Sequence, residues 1–230
     1  MNRATPAIRF QAISAAVLTL TALTCQPVSA QSAGAWLFKA GINTITPEVR
    51  SGDLSAPSLP GTRIDIKSAS APIISATYML TDNWSAEAFA GLPYKHEVVG
   101  DGAVKGVGRL GSVKQISPTA LLQYRFLAPA EQFRPYLGAG LSYGHFFATQ
   151  GSAALTALTQ PGTTATRMKV DDAFGLSVQI GASFKLNERW FIDAAAIKTF
   201  IKTTTTLSTG QKIDTKLDPL ATNVSVGYRF

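Results

Sequence analysis

Apolar and polar residues alternate strictly along the second half of the chain. Between residues 173 and 186, apolar side chains recur at every second position: Phe174, Leu176, Val178, Ile180, Ala182, Phe184 and Leu186. Because successive side chains of a strand point to opposite faces, this spacing predicts a β-strand with one apolar face. The C-terminal segment repeats the pattern through Val224, Val226, Tyr228 and Phe230.

The same alternation predicts an all-β protein of eight strands. Their expected ranges are 35–49, 66–81, 84–96, 114–127, 133–147, 170–186, 190–202 and 216–230. Short connections at 81–83, 128–132 and 187–189 alternate with longer polar segments at 50–65, 97–113, 148–169 and 203–215. Periplasmic turns and external loops alternate in this way in outer-membrane barrels. We therefore expect an antiparallel up-and-down transmembrane β-barrel with both ends of the chain on the periplasmic side.

Composition favours a barrel in lipid over a soluble sandwich. Charged residues make up 15% of the chain, against about 25% in ordinary soluble domains. The polar faces of the predicted strands carry mostly Gly, Ser, Thr and Gln, which suit a narrow lumen. Aromatic residues such as Trp36, Trp84 and Trp190 lie at strand ends, as in the girdles of membrane barrels. The alternative is that these aromatic residues belong to an ordinary core.

The first 30 residues differ from the rest of the chain. Arg3 and Arg9 are followed by an apolar run, and small residues end the segment at Ala30. This pattern predicts a cleaved signal peptide at residues 1–30, followed by a barrel domain at 31–230. Lipid attachment at Cys25 is less favoured because Thr24 precedes it. The remaining chain has no apolar stretch of the length that a membrane-spanning helix needs.

Motifs for chemistry fail on their context. The G-x-G-x-x-G match at 106–111 lacks the strand before it and the helix after it that a dinucleotide site needs. The pair Asp171 and Asp172 is interpreted as a strand start, because no further metal ligands cluster nearby. His145 and Ser142 fall on opposite faces of one strand. We expect no enzyme, no cofactor and no metal site, although a catalytic set built from distant strands stays open.

Several short motifs together resemble a known family. They are Leu80-Thr81-Asp82-Asn83-Trp84, Leu92-Pro93-Tyr94-Lys95-His96, the segment 117–124, the segment 133–140 and Gly227-Tyr228-Arg229-Phe230. In this order and at these spacings, the chain resembles the OmpW family of small outer-membrane barrels, including its alkane-uptake members of the AlkL type. The resemblance covers residues 34–230.

The resemblance implies passive uptake of small hydrophobic molecules through a narrow apolar conduit with a lateral exit. Pro93 and Pro118 are candidates for the lateral opening, because proline cannot donate to a strand ladder; alternatively, they only end strands. The family's apolar gate corresponds to Phe89 and Ile197, and a tryptophan stands in the family at the second position. The alternative for these two residues is plain packing of the lumen.

The resemblance also implies localisation in the cell outer membrane. Tyr228 and Phe230 match a C-terminal signal for the outer-membrane assembly machinery. Other expected partners are outer-membrane lipids, lipopolysaccharide and small hydrophobic ligands, and no nucleic acid. A structural or stress-related envelope barrel, or a phage or colicin receptor without cargo, remains the alternative function. Apolar loops, of which 148–169 is a mild example, favour uptake, whereas a lumen plugged by paired charges favours the alternative.

Overall fold

The computed structural model describes residues 31–159 and 164–230. The signal peptide expected at residues 1–30 lies outside the described residues and stays a prediction. Within the two described ranges, no helix has the length and apolar character needed to cross a membrane.

The described residues form fifteen strands and one short helix. In chain order these are β1 (Trp36–Thr46), β2 (Arg50–Ser51), β3 (Thr62–Ile66), β4 (Ala69–Met79), β5 (Trp84–Gly91), β6 (Tyr94–Gly102), β7 (Arg109–Ile116), β8 (Thr119–Arg125), β9 (Phe133–Gly151), α1 (Ala153–Thr159), β10 (Met168–Val170), β11 (Ala173–Lys185), β12 (Trp190–Phe200), β13 (Lys202–Leu207), β14 (Lys212–Lys216) and β15 (Leu220–Arg229).

Eight of these strands close into an antiparallel barrel, which confirms the predicted fold class. Neighbours follow the order β1, β4, β5, β8, β9, β11, β12 and β15, and β15 pairs again with β1. The alternation predicted for β11 is present: Phe174, Leu176 and Ile180 are exposed, whereas Ser177 and Gln179 are buried. The apolar face of the barrel is therefore its outer surface.

One end of the barrel, called here the turn end, carries the three short connections. Side-chain oxygens organise two of them: Thr81 Oγ1 accepts the N–H of Trp84 at 2.9 Å, and Asn187 Oδ1 accepts the N–H of Trp190 at 2.9 Å.

Aromatic rings surround this end. The Trp190 and Tyr228 rings lie 4.9 Å apart, and the exposed Phe230 ring lies 5.4 Å from that of Phe38. The role of Tyr228 and Phe230 in assembly stays a prediction.

The opposite end, called the extended end, differs from the expected arrangement of four long loops. Those segments continue as strands and form two walls above the barrel. The first wall contains β3, β6, β7 and the last part of β9, and the second contains β10, β13, β14 and β2. The prediction of loops was wrong because it rested only on the polarity of these segments. Strands beyond the lipid expose a polar outer face while apolar residues such as Val98 and Leu207 face inward.

A proline break changes which way Tyr94 points. The segments predicted as single strands at 84–96 and 114–127 are each interrupted, at Leu92-Pro93 and at Ser117-Pro118. Leu92 and Pro93 are both exposed, so the alternation shifts by one residue. An unbroken strand over 84–96 would place Tyr94 on the outer face with Trp84, and this expectation is wrong: Tyr94 is buried inside at 1% exposure.

Glycines make room for two aromatic rings inside the barrel. A Cβ atom added to Gly181 would overlap the ring of Tyr136, and one added to Gly227 would overlap the ring of Phe191. Glycine in a strand interior often marks such a close approach. These two positions allow large side chains to fill the lumen near the turn end.

Candidate functional site

A buried ion-pair network fills the lumen near the turn end. Lys39 Nζ lies 2.8 Å from Glu87 Oε1 and 3.0 Å from Asp193 Oδ1, and all three side chains are buried. The Tyr136 hydroxyl donates to Asp193 Oδ1 at 2.9 Å. Charges are tolerated inside a protein when they are paired and hydrogen-bonded in this way. Four strands contribute to this central group.

Amides and a second cation extend the network across the barrel. Gln123 Nε2 donates to Glu87 Oε2 and, at 2.8 Å, to Gln179 Oε1. Arg125 lies over the ring of Tyr136 at 4.6 Å and donates to Ser85, Gln123 and Ser183. The axial route toward the turn end is therefore occupied by interacting side chains. Sequence reasoning did not identify this plug, because its charged residues lie far apart in the chain.

A chain of hydroxyl groups lies above the ion pairs, toward the extended end. Thr119 Oγ1 is 2.8 Å from Ser142 Oγ, which is 2.7 Å from Ser177 Oγ, which in turn is 2.8 Å from Thr199 Oγ1. These residues belong to the adjacent strands β8, β9, β11 and β12, and all four are buried. The hydroxyls satisfy one another and form a polar floor.

The two predicted gate residues both lie inside the barrel, at about the level of these hydroxyl groups: Phe89 pairs with Thr119, and Ile197 lies two residues before Thr199 on β12. Phe89 packs in a buried cluster with Ile45, Ala71, Ile73 and Tyr94. Ile197 is buried on β12. Both side chains line a small cavity of about 40 Å³, called here the lower cavity. Alternation along the strands places Phe89 on the same face as Glu87 and, since Asp193 points inward, Ile197 on the lumen face as well. Their role as a gate stays a prediction.

A larger apolar cavity lies between the two walls of the extended end. This upper cavity has a volume of about 80 Å³. Its core is a buried cluster of Leu110, Leu155, Met168 and Leu207, which joins β7, α1, β10 and β13. Phe146 and Leu217 line both the upper and the lower cavity. The two cavities thus share part of their lining, and the lower one reaches Phe89 and Ile197.

The ladder between neighbouring strands is interrupted next to Phe89. β5 and β8 pair as far as Phe89 with Thr119, and β6 and β7 resume with Tyr94 and Gln115. Between these pairs lie residues 90–93 and 116–118, called here the seam, which are not paired with each other. On the other edge of β5, the Leu92 N–H donates at 3.0 Å to Pro72 O and so extends the pairing with β4 past the gap. Pro93 and Pro118, the predicted lateral-opening residues, therefore fall on the two sides of one gap.

An amide in the lower cavity was missed by sequence reasoning. Asn43 on β1 is 1% exposed and lines this cavity. Its Nδ2 donates to the Tyr94 hydroxyl at 2.8 Å, whereas its Oδ1 has no hydrogen-bond partner among the described residues. Buried side-chain oxygens are normally hydrogen-bonded. The sequence gives Asn43 no motif, and the wrong direction expected for Tyr94 concealed the pair.

At the outer rim, Asp172 joins three groups from β9. Its Oδ2 is 2.7 Å from His145 Nδ1 and accepts the Tyr143 hydroxyl at 2.8 Å, while its Oδ1 accepts the Phe146 N–H at 2.9 Å. These hydrogen bonds, that of His145 foremost, lower the pKa of Asp172 to about 2. Ser142 is buried inside the barrel and His145 lies outside, as predicted. Among the described residues, no group of three or more potential metal ligands occurs.

Comparisons with known proteins agree with this architecture. The family model described as OmpW family matches residues 32–230. Outer membrane protein W of Vibrio cholerae is 31% identical over 217 residues, which cover 92% of this chain and 95% of that protein. The Dibenzothiophene metabolism operon protein PahQ of Pseudomonas aeruginosa is 25% identical over 199 residues, which cover 85% of this chain and 88% of that protein. The crystal structure of OprG from Pseudomonas aeruginosa matches with a TM-score of 0.79 at 28% identity and covers 88% of this chain and 98% of that one.

Proposed function

The chain belongs to the OmpW family of outer-membrane barrels, and on that premise we propose that it is a channel for passive uptake of small hydrophobic molecules. The resemblance noted from the sequence and the predicted outer-membrane localisation are both confirmed by these relatives. In the proposed route, apolar cargo enters the upper cavity, passes Phe89 and Ile197, and leaves sideways through the seam into the bilayer.

The observation that carries this proposal is a pair of adjoining cavities, the lower of which lies beside a gap in the wall. Continuing along the barrel axis would require separating Lys39 from Glu87 and Asp193. Breaking a buried ion pair is strongly unfavourable, by about 3–5 kcal/mol. The seam has no strand pairing to break between residues 90–93 and 116–118. A lateral exit is therefore the less costly route for an apolar molecule.

Two further observations support an apolar cargo. The upper cavity is lined mostly by aliphatic side chains, and such surfaces bind apolar molecules by removing them from water. One relative carries a name that refers to dibenzothiophene metabolism, and dibenzothiophene is itself an apolar aromatic compound. The expected partners of the chain are thus small hydrophobic ligands and the lipids of the outer membrane.

A second function has one specific observation in its favour. A lumen filled by paired charges is what we expected of a structural or stress-related barrel, or of a phage or colicin receptor, without cargo. The Lys39 network meets that description near the turn end. It leaves the apolar cavities above it unexplained, however, whereas lateral uptake accounts for both features.

Uptake by intact cells distinguishes the two functions. Cells with and without the protein are given a panel of alkanes, terpenes and esters, and the initial rate of accumulation is measured for each. Channel function predicts faster uptake with the protein for apolar members of the panel. Equal rates for every compound would contradict the channel and leave the barrel without cargo as the remaining function.

A further inference from the structure

The lower cavity differs from the upper one in carrying polar side chains as well as apolar ones. Phe89, Ile45 and Ile197 supply its apolar walls. Thr119, Ser142 and Thr199 supply a polar floor, whose hydroxyls are hydrogen-bonded to one another or to Ser177. A molecule that reaches this level therefore meets both kinds of surface, which a conduit for pure hydrocarbons does not require.

Asn43 is the side chain of this cavity whose hydrogen bonds are incomplete. Its amide nitrogen is held by Tyr94, and its Oδ1 is buried without a partner among the described residues. Leaving a buried acceptor unpaired is unfavourable, so a donor that reaches Oδ1 gains a hydrogen bond without displacing another. In the upper cavity Thr215 is in a similar state, since its buried Oγ1 also lacks a partner.

We propose that Asn43 binds the hydroxyl group of small amphipathic cargo, so that the preferred cargo of the channel is neutral alcohols rather than pure hydrocarbons. This inference rests on the proposed channel function. The hydroxyl donates to Asn43 Oδ1, and the hydrocarbon part lies against Phe89, Ile197 and Phe146. A neutral head group is required, because the aliphatic walls make burial of a charge costly.

The sizes of the two cavities fit a cargo that places its hydroxyl group in the lower cavity and its hydrocarbon chain in the upper one. The lower cavity, about 40 Å³, exceeds the roughly 10–15 Å³ needed to hold one water-sized group. It accommodates a hydroxyl and the adjoining carbon atoms, and the rest of the chain lies in the upper cavity. The seam begins at the same level, so the alcohol can turn its hydrocarbon part toward the bilayer before it leaves.

Paired uptake assays with 1-octanol and n-octane test the inference. We compare the wild type with Asn43→Leu and with the matched control Asn223→Leu. Asn223 lies on β15 opposite Asn43, is buried and does not line the cavity. The protein-dependent ratio of octanol to octane uptake should fall roughly tenfold in Asn43→Leu, which corresponds to one lost hydrogen bond. It should be unchanged in Asn223→Leu.

The outcomes separate this inference from the function on which it rests. If neither compound enters faster with the protein, the channel proposal fails. If both enter faster and Asn43→Leu leaves their ratio unchanged, only the role of Asn43 is overturned.

A measurement on the wild type avoids dependence on the variant's folding. 1-Octanol, and not n-octane, should shift the NMR signals of the Asn43 side-chain amide in the full chain in bilayers; equal shifts or none would refute the inference.

Discussion

Lys39 Nζ is 3.0 Å from Asp193 Oδ1 inside the barrel, and both side chains are buried. These residues come from β1 and β12, which are separated by β15 in the barrel. Together with Glu87 they occupy the middle of the lumen near the turn end. The pair occupies the axial route, which is why the proposed uptake path leaves through the barrel wall.

The ion-pair network should also contribute strongly to stability. Lys39→Met leaves Glu87 and Asp193 without their shared cation, and we expect a loss of about 3–5 kcal/mol in the free energy of unfolding. The measurement is urea unfolding in lipid bilayers. Lys185→Met is the control, because its partner Glu188 is 74% exposed, and exposed ion pairs contribute less than about 1 kcal/mol. Equal losses in the two variants would contradict the role of the network.

Phe89 and its neighbour Ala88 point to opposite sides of the barrel wall. Phe89→Arg should lower uptake of n-octane while the barrel still assembles, because the charge enters an apolar passage. Ala88→Arg faces lipid and should impair insertion instead, at a cost of roughly 2–4 kcal/mol near the midplane. Uptake and membrane fractionation are measured for both. Equal insertion and equal transport would show that the lumen near Phe89 is not the route.

The C-terminal residue should affect assembly more than the residue before it. Phe230 is 74% exposed, and its ring contacts those of Phe38 and Tyr228 on the outer surface. Phe230→Glu removes this aromatic contact and the predicted assembly signal, so insertion in cells should fall severalfold. Arg229→Gln retains the aromatic surface and should insert nearly as well as the wild type. Similar membrane yields of the two variants would refute the predicted signal.

The pKa of Asp172 should depend on His145. Because that pKa is about 2, below the ordinary 3.8, the interactions of the carboxylate favour the folded rim fully above pH 3.8. This contribution is lost as the pH falls toward 2. NMR titration of the carboxyl group measures the value directly. In His145→Phe, which keeps a ring between Tyr143 and Phe147, the pKa should rise toward 3.8. A wild-type carboxyl that titrates near 4 would contradict these hydrogen bonds.

The sequence predicted the lipid-facing barrel well because its outer face meets one uniform environment. Along β11 every second residue faces lipid, so alternation alone identifies the strand. The same parity placed Phe89 and Ile197 inside. At the extended end this reasoning failed, because strands that rise beyond the lipid have polar outer faces that resemble loops in sequence.

Two other features depended on contacts that the sequence does not contain. Tyr94 points inward because the exposed pair Leu92-Pro93 shifts the alternation by one residue, and Asn43 became part of the site only through this change. Lys39, Glu87 and Asp193 are 48 and 106 residues apart in the chain, and the barrel's closure brings them together. Local periodicity carries no information on such pairings.

Bridging the seam is the most direct test of lateral uptake. Leu92→Cys and Ser117→Cys place one thiol on each side of the gap, and a reducible bifunctional thiol reagent joins them. Ala86→Cys with Leu122→Cys is the control, because these residues form a regular pair of β5 and β8 below the seam. The measurement is n-octane uptake by cells before and after reduction. The account predicts uptake at the level of cells lacking the protein while the seam is bridged, recovery on reduction, and no effect in the control; undiminished uptake through a bridged seam would contradict it.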